Sequence, residues 1–277
     1  IVHIDIDTAS ISRNVVVDVP VVSDARLALE KLLEWAEPKK TKSWIEEIHA
    51  WEEANPLEMR RDLGMTPQMI MEHINSNYPD GIYVTDVGQH QMWATQYLTL
   101  DSSSQMITSG GLGTMGFGFP AAIGAKIGSP DRDVICISGD GGMQMNIQEM
   151  ATAITQGAGV TVCILNNYYL GMVRQMQQLF YGKRYSATCL RRRASCPSNC
   201  KGPNPSCPPY TPDFVKLAES YGAYGIRVER EEEIDAAFAE AKKHKDVPTV
   251  IEFMIATDEI VLPMVKSGNP MSEMILK

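Results

Sequence analysis

The stretch Val134-Ile-Cys-Ile-Ser-Gly139-Asp140-Gly141-Gly142, followed after an amphipathic run by Val160-Thr-Val-Cys-Ile-Leu-Asn166-Asn167, decides the fold. Each half opens as a continuous apolar run, the pattern of a strand buried on both faces. Between them Met143, Ile147, Met150 and Ile154 recur at helical spacing, and Gly157-Ala158-Gly159 closes that helix. A right-handed β-α-β crossover sets the two strands parallel, so Asp140 and Asn167 emerge at one edge of the sheet. A carboxylate and an amide oxygen converging there suit a hard divalent cation, which takes oxygen ligands and shares phosphates with a substrate or cofactor. The glycines let a phosphate approach the backbone, and a helix N-terminus behind them offers unpaired N–H groups. On the residues alone, this is a Mg²⁺-assisted diphosphate site. The bland alternative, a Gly-Asp-Gly turn and an unrelated Asn-Asn cap, does not explain why both fall within one β-α-β unit.

Working outward, Thr66-Pro67 starts a helix that runs to about Asn77, and Pro79-Asp80-Gly81 turns into a strand at Ile82–Thr85. Further strands are expected at 226–228 and 249–255, with helices around 121–127, 143–155, 212–221 and 231–243. Strands alternating with helices predict an α/β fold, a parallel sheet covered by helices on both faces, with ligands beyond the carboxyl ends of the strands. Before it, Ile1–Asp7 alternates apolar and polar, Val15–Val22 is β-branched, and Asp24–Trp35 has helical spacing. This β-β-α piece, 1–36, is too small to bury a core of its own and reads as the tail of a preceding α/β domain. Residues 37–61 read as a linker with a short helix around Trp44 and Trp51. Residues 62–277 form the main domain, interrupted at about 189–209 by a Cys/Pro-rich insertion.

Composition sets the remaining bounds. Lys+Arg 25 against Asp+Glu 34 gives a formal charge of −9, which argues against a general nucleic-acid binder. No apolar run has the length of a membrane span, and no targeting signal is visible in these residues.

At this point the residues carry a resemblance. Gly139-Asp140-Gly141 with Asn166-Asn167 resembles the cofactor motif of thiamin-diphosphate enzymes. Val87-Gly88-Gln89-His90-Gln91-Met92-Trp93, Gly110-Gly111-Leu112-Gly113-Thr114-Met115-Gly116 and Gln144-Met145-Asn146-Ile147-Gln148-Glu149 are similar to the acetolactate synthase (acetohydroxyacid synthase) large subunit. The resemblance implies that Asp140, Asn167 and the carbonyl of Tyr169 ligate Mg²⁺. Gly141 and Gly142 with Val87, Gly88, Gln89 and His90 would hold the diphosphate. Met115 would be the apolar wedge that bends the cofactor, and the carbonyl of Gly113 would accept a hydrogen bond from the aminopyrimidine. It further implies FAD as a structural cofactor, with Asp5 and Asp24 near its adenosine. The implied reaction decarboxylates pyruvate and joins the two-carbon remainder to pyruvate or 2-oxobutanoate, the first common step of branched-chain amino acid biosynthesis. A homodimer or homotetramer of the complete subunit, a small regulatory subunit, and a cytoplasmic (bacterial-type) or organellar setting follow from the same likeness. The family's activating glutamate lies in an N-terminal domain that no segment here resembles, so the 277-residue piece alone is expected to be inactive. Other 2-oxo-acid decarboxylases or carboligases of the superfamily, or a non-catalytic cofactor-binding module, are the competing readings.

Several signals remain. Gly111-Leu-Gly113-Thr-Met-Gly116 fits the dinucleotide pattern G-x-G-x-x-G, but no convincing long strand precedes it and Phe117–Pro120 delays the helix. His90 has no second histidine at ligand spacing, which favours a diphosphate contact over a metal. Met143, Met145, Met150, Met172 and Met176 cluster in sequence as core filling or as pocket wall. The family usually has Trp where Met176 stands, beside the second-substrate pocket that also takes Met172, so discrimination between the two acceptors is expected to be reduced. Cys189, Cys196, Cys200 and Cys207 could form a Cys₄ zinc site, a disulfide, or inert thiols, and none of their gaps is the C-x₂-C of common zinc modules. Arg191–Arg193 reads as a solvated run. Cys136 and Cys163 fall in buried strands.

Overall fold

The computed structural model describes residues 1–57, 61–101, 103–197, 200, 207 and 212–276. The chain divides into two compact units, Ile1–Glu58 and Met59–Lys277.

In the first unit β1 (Val2–Asp5) and β2 (Val19–Val22) pair in parallel, with Asp5 opposite Val22. Of the predicted 15–22 strand only its second half pairs. Asp24 caps α1 (Ala25–Leu33) by accepting from the amides of Arg26 and Leu27, and α2 (Lys42–Ala54) occupies the stretch read as a connector. Leu27, Leu29, Leu32, Leu33, Trp35, Trp44 and Trp51 are exposed, as expected of a piece too small to bury its apolar face.

The second unit is a six-stranded, fully parallel sheet in the order β4-β3-β5-β6-β8-β7. Along the chain come α3 (Pro67–Asn77), β3 (Ile82–Thr85), α4 (Gln89–Tyr97), β4 (Gln105–Thr108), α5 (Gly118–Gly128), β5 (Val134–Gly139), α6 (Asp140–Met143), α7 (Glu149–Thr155), β6 (Thr161–Asn166), α8 (Gly171–Phe180), α9 (Phe214–Ser220), β7 (Tyr224–Val228), α10 (Ile234–Ala241) and β8 (Thr249–Met254). Thr66 caps α3 with Pro67 at its first position, and Asp213 caps α9. Strand side chains alternate between two cores. Ile135 and Ile137 join Ile70, Ile74, Trp93 and Phe238 on one face, while Val134 and Cys136 join Phe119, Ile123, Met150 and Phe214 on the other.

Several elements differ from expectation. Strand β4 does precede the glycine-rich loop, short and only partly buried at the sheet edge, which is why its pattern was faint in the sequence. Helices α4 and α8 were not anticipated; each mixes polar and apolar residues on a face turned toward the site. The single helix expected over 143–155 is broken into α6 and α7. Between them Asn146 Nδ2 donates to the carbonyl of Gly116 at 2.8 Å, and a Cβ on Gly116 would lie 2.6 Å from that of Met145, so this segment is tied to the neighbouring loop. The connection reverses direction between β3 and β5, and such switch points are where parallel sheets leave a crevice for ligands.

Candidate functional site

A pocket of ≈ 470 Å³ opens at that crevice. Its walls include Val87, Gly88, Gln89 and His90 after β3, Asp140, Gly141 and Gly142 after β5, and Asn167 and Tyr169 after β6, together with Met115 and Met172. Strand register brings Thr85 opposite Ile137 and Gly139 opposite Leu165, so residues far apart in sequence meet at the same level. Gly113, at φ +72°, stands beside Val87 in the adjoining loop without lining the pocket. Met176 also lies outside the lining and packs, partly buried, against the core. Asp5 and Asp24 belong to the other unit, both at the carboxyl ends of its paired strands; Asp5 accepts from the Asp7 amide and Asp24 is the cap of α1.

The pocket is held open by a residue that no motif singled out. Buried Asp86 accepts from the amides of Val87 at 2.8 Å and Gly116 at 3.1 Å through Oδ1, and from Gly118 at 2.8 Å through Oδ2. One carboxylate thereby fixes the β3 end to the loop carrying Gly113 and Met115. Space there is tight: a Cβ on Gly142 would collide with Asp86 Oδ1, and one on Gly118 would fall 2.7 Å from the Asp86 nitrogen. Glycine is therefore required at both places by close approach, whatever their φ.

The electrostatics favour a cation beside an anion. Asp140 is 1% exposed, its Oδ1 accepts from the Gly141 amide at 3.0 Å, and its Oδ2 has no partner. Burial pushes its carboxyl up to about 7, and backbone hydrogen bonds only partly oppose this. A buried, unpartnered carboxylate oxygen is costly alone and well suited to a metal ion. Asn167 Oδ1 accepts from the Tyr169 amide at 3.0 Å, and its Nδ2 reaches Gln89 Oε1 at 3.3 Å. His90 is also buried with an unpartnered Nε2, and desolvation holds its pKa down to about 4 despite nearby Asp86, so the ring is neutral. A neutral imidazole can offer an N–H to a phosphate oxygen. The first turn of α4, at Gln89 and His90, adds amides that have no helical acceptor. By contrast α6 is a single turn, so its contribution is local N–H groups and not a long helix dipole.

Behind the wall, Gln89 Nε2 donates to Gln175 Oε1 at 2.7 Å, and Gln175 exchanges hydrogen bonds with the backbone of Val261. Arg174 pairs with Asp258 at 2.7 Å and lies over the rings of Tyr169 and Tyr185. Burial pushes the Tyr169 phenol up to about 12, against the opposing charge of Arg174. Gln89, Gln175 and Arg174 lie in helices that already mix polar and apolar residues, so nothing local in the sequence marks them as supports.

Of the insertion expected at 189–209, residues 198–199, 201–206 and 208–209 lie outside the described residues. Cys189, Cys196, Cys200 and Cys207 border one cavity with Arg191 and Arg192, and Cys189 bridges the backbone of Tyr169. Arg191 is not simply solvated: its guanidinium covers the ring of Tyr168 and donates to the carbonyl of Cys207 at 2.7 Å. Among the described residues no three His, Cys, Asp or Glu side chains are arranged to hold a metal ion, so this geometry does not supply the Cys₄ zinc alternative. Among them, too, no helix is long and apolar enough to cross a membrane.

Comparison with known proteins follows the same residues. Residues 86–253 match the family model described as "Thiamine pyrophosphate enzyme, C-terminal TPP binding domain". The chain is 40% identical over 282 residues to the "Acetolactate synthase large subunit" of Corynebacterium glutamicum, covering 99% of this chain and 43% of that one. It is 40% identical over 284 residues to the protein of the same name from Haemophilus influenzae, covering 100% and 46%, and 39% identical over 281 residues to that of Parasynechococcus marenigrum, covering 99% and 42%. The chain thus spans less than half the length of the relatives it matches.

Proposed function

Because this chain belongs to the thiamine pyrophosphate enzymes, whose C-terminal cofactor-binding domain it carries, we propose that its pocket holds thiamin diphosphate through Mg²⁺ and that the protein acts as an acetolactate synthase. The observation that carries the cofactor site is the buried, unpartnered Oδ2 of Asp140 set against the glycine turn and the neutral His90. Asp140, Asn167 and the Tyr169 carbonyl would hold the cation, and the cation in turn the diphosphate. Gly141 and Gly142, by letting the backbone approach, the start of α4 at Gly88 and Gln89, and His90 would hold the remaining phosphate oxygens. When bound, thiamin diphosphate supplies carbanion chemistry at its thiazolium C2.

This chain's part is to bind, orient and keep the site dry. Met115, which lines the pocket, would be the apolar wedge on which the cofactor bends, and the Gly113 carbonyl would accept from the aminopyrimidine. Leu170, Met172 and Ile255 add apolar lining to the rest of the wall, and with the cofactor seated would limit water there and strengthen the charge interactions inside. The substrates would be pyruvate as donor and pyruvate or 2-oxobutanoate as acceptor, a reading supported by the likeness to large subunits along the whole chain. Asp5 and Asp24, at the carboxyl edge of a parallel strand pair, have the position that suits a dinucleotide, and FAD is the one the reading requires. A dimer or tetramer, a small regulatory subunit, and a bacterial-type cytoplasmic or organellar setting complete the proposal.

The test is product analysis of the complete protein with Mg²⁺, thiamin diphosphate, FAD and pyruvate. Acetolactate is expected. Acetaldehyde as sole product points to a simple decarboxylase and overturns the synthase reading, and cofactor binding without turnover overturns the enzyme reading.

A further inference from the structure

A buried acid behind the Asn166-Asn167 corner has no part in the proposed chemistry. Glu252 stands in the middle of β8 and is 2% exposed. Its Oε1 accepts from Asn166 Nδ2 at 2.7 Å, and its Oε2 accepts from Arg227 Nε at 2.9 Å and Nη2 at 2.8 Å. Arg227 reaches on to Asp213 Oδ1 at 3.0 Å, the carboxylate that caps α9. On the other side, Asn166 Oδ1 accepts from the Tyr168 amide at 3.0 Å, and its carbonyl accepts from the Ile255 amide at 3.1 Å.

Tyr168 is the strained point of this chain of contacts. It sits at φ +65°, a left-handed backbone that a non-glycine residue adopts only when its surroundings impose it. That turn reverses the chain so that Asn167 and Tyr169 both border the pocket, with Asn167 Oδ1 accepting from the Tyr169 amide. Asn166 imposes the turn by taking the Tyr168 amide, and Glu252 fixes which way the Asn166 amide group faces.

We infer that Glu252 is a positioning residue for the cation site: held by Arg227, it clamps Asn166, and Asn166 holds the left-handed turn that presents Asn167 and Tyr169 to the metal. The inference rests on the reading of Asp140, Asn167 and Tyr169 as metal ligands. Removing an outer partner of a ligand set costs roughly 10- to 100-fold in metal affinity, whereas an ion pair that merely ties β7 to β8 would alter stability alone.

The experiment titrates MgCl₂ into the intact protein with saturating thiamin diphosphate, read by calorimetry. Glu252→Gln keeps an oxygen for Asn166 but loses the charge, and should weaken Mg²⁺ binding by about 10-fold, the lower end of that range. Asn166→Ala leaves the Arg227–Glu252 pair in place, guarding against a misfolded strand edge, and should weaken it by about 10-fold or more. The double variant should cost less than the product of the two. Unchanged Mg²⁺ affinity in folded Asn166→Ala and Glu252→Gln overturns the inference, even where the unfolding midpoint falls. Asp140→Ala serves as control: if it still binds Mg²⁺ normally, the ligand reading itself fails, whereas loss there with no effect at Asn166 and Glu252 defeats only the positioning role.

Discussion

Substituting Asp140 by Asn should make the cofactor-free chain more stable and at the same time unable to bind its cation. In the unfolded chain this carboxyl ionises near its ordinary value of 3.8, whereas in the fold burial lifts it to about 7. The folded state therefore binds the extra proton between about pH 4 and 7, and the empty protein loses stability as pH rises through that window. A shift of about 3 pH units at roughly 1.4 kcal/mol per unit places the full cost near 4 kcal/mol above pH 7. Asparagine retains an oxygen for the Gly141 amide but carries no charge, so most of that cost disappears. Urea unfolding of the cofactor-free protein at pH 8 should show Asp140→Asn more stable by about 2–4 kcal/mol, with the gap narrowing as pH falls toward 4. Adding Mg²⁺ and thiamin diphosphate should then stabilise the parent protein but not the variant. Because the cation displaces a proton, Mg²⁺ affinity of the parent should also fall as pH drops below about 7. Equal or lower stability of Asp140→Asn at pH 8 would refute the account of Asp140 as a charge buried in wait for a metal.

Further outcomes follow from other parts of the site. Asp86→Ala orphans two buried amides and one partly buried amide that share one carboxylate, and should cost about 3–5 kcal/mol by urea unfolding, with cofactor affinity lost in step; a loss under about 1 kcal/mol contradicts its role. Gly142→Ala, whose Cβ would collide with Asp86, should abolish thiamin diphosphate binding in calorimetry, and normal binding shows that the glycine is dispensable. Burial raises the thiols of Cys136 and Cys163 far above the usual range, so in thiol titration these two should react only on unfolding. With the flexible Met172 on the wall, product ratios from equal pyruvate and 2-oxobutanoate should show weak discrimination, and a strong preference for 2-oxobutanoate contradicts this reading.

The parallel sheet and the meeting of Asp140 with Asn167 were legible because buried strands announce themselves as continuous apolar runs and the crossover rule fixes their relative direction. Gly141 and Gly142 follow a legible strand end, whereas Gly88, Gln89 and His90 were pointed to by the family resemblance; all five line the pocket. What escaped was the supporting layer. Asp86 follows its strand as one more short polar residue, and nothing local reveals that it binds amides some 30 residues onward. Glu252 was visible only as a charge inside Thr249-Val-Ile-Glu-Phe-Met, and its partners Asn166 and Arg227 lie on neighbouring strands. The break between α6 and α7 was equally hidden, since Met143 and Met150 keep helical spacing while Asn146 is drawn away by Gly116. Local patterns specify elements; long-range polar contacts that shape a site leave no period to read.

The most direct test of the central claim is calorimetric titration of thiamin diphosphate into the protein with Mg²⁺, with a chelator in place of Mg²⁺, and into Asp140→Ala. Saturable binding with one cofactor per chain in Mg²⁺, lost in chelator and in the variant, is the predicted result. Binding that survives chelation, or that Asp140→Ala retains in full, would contradict it.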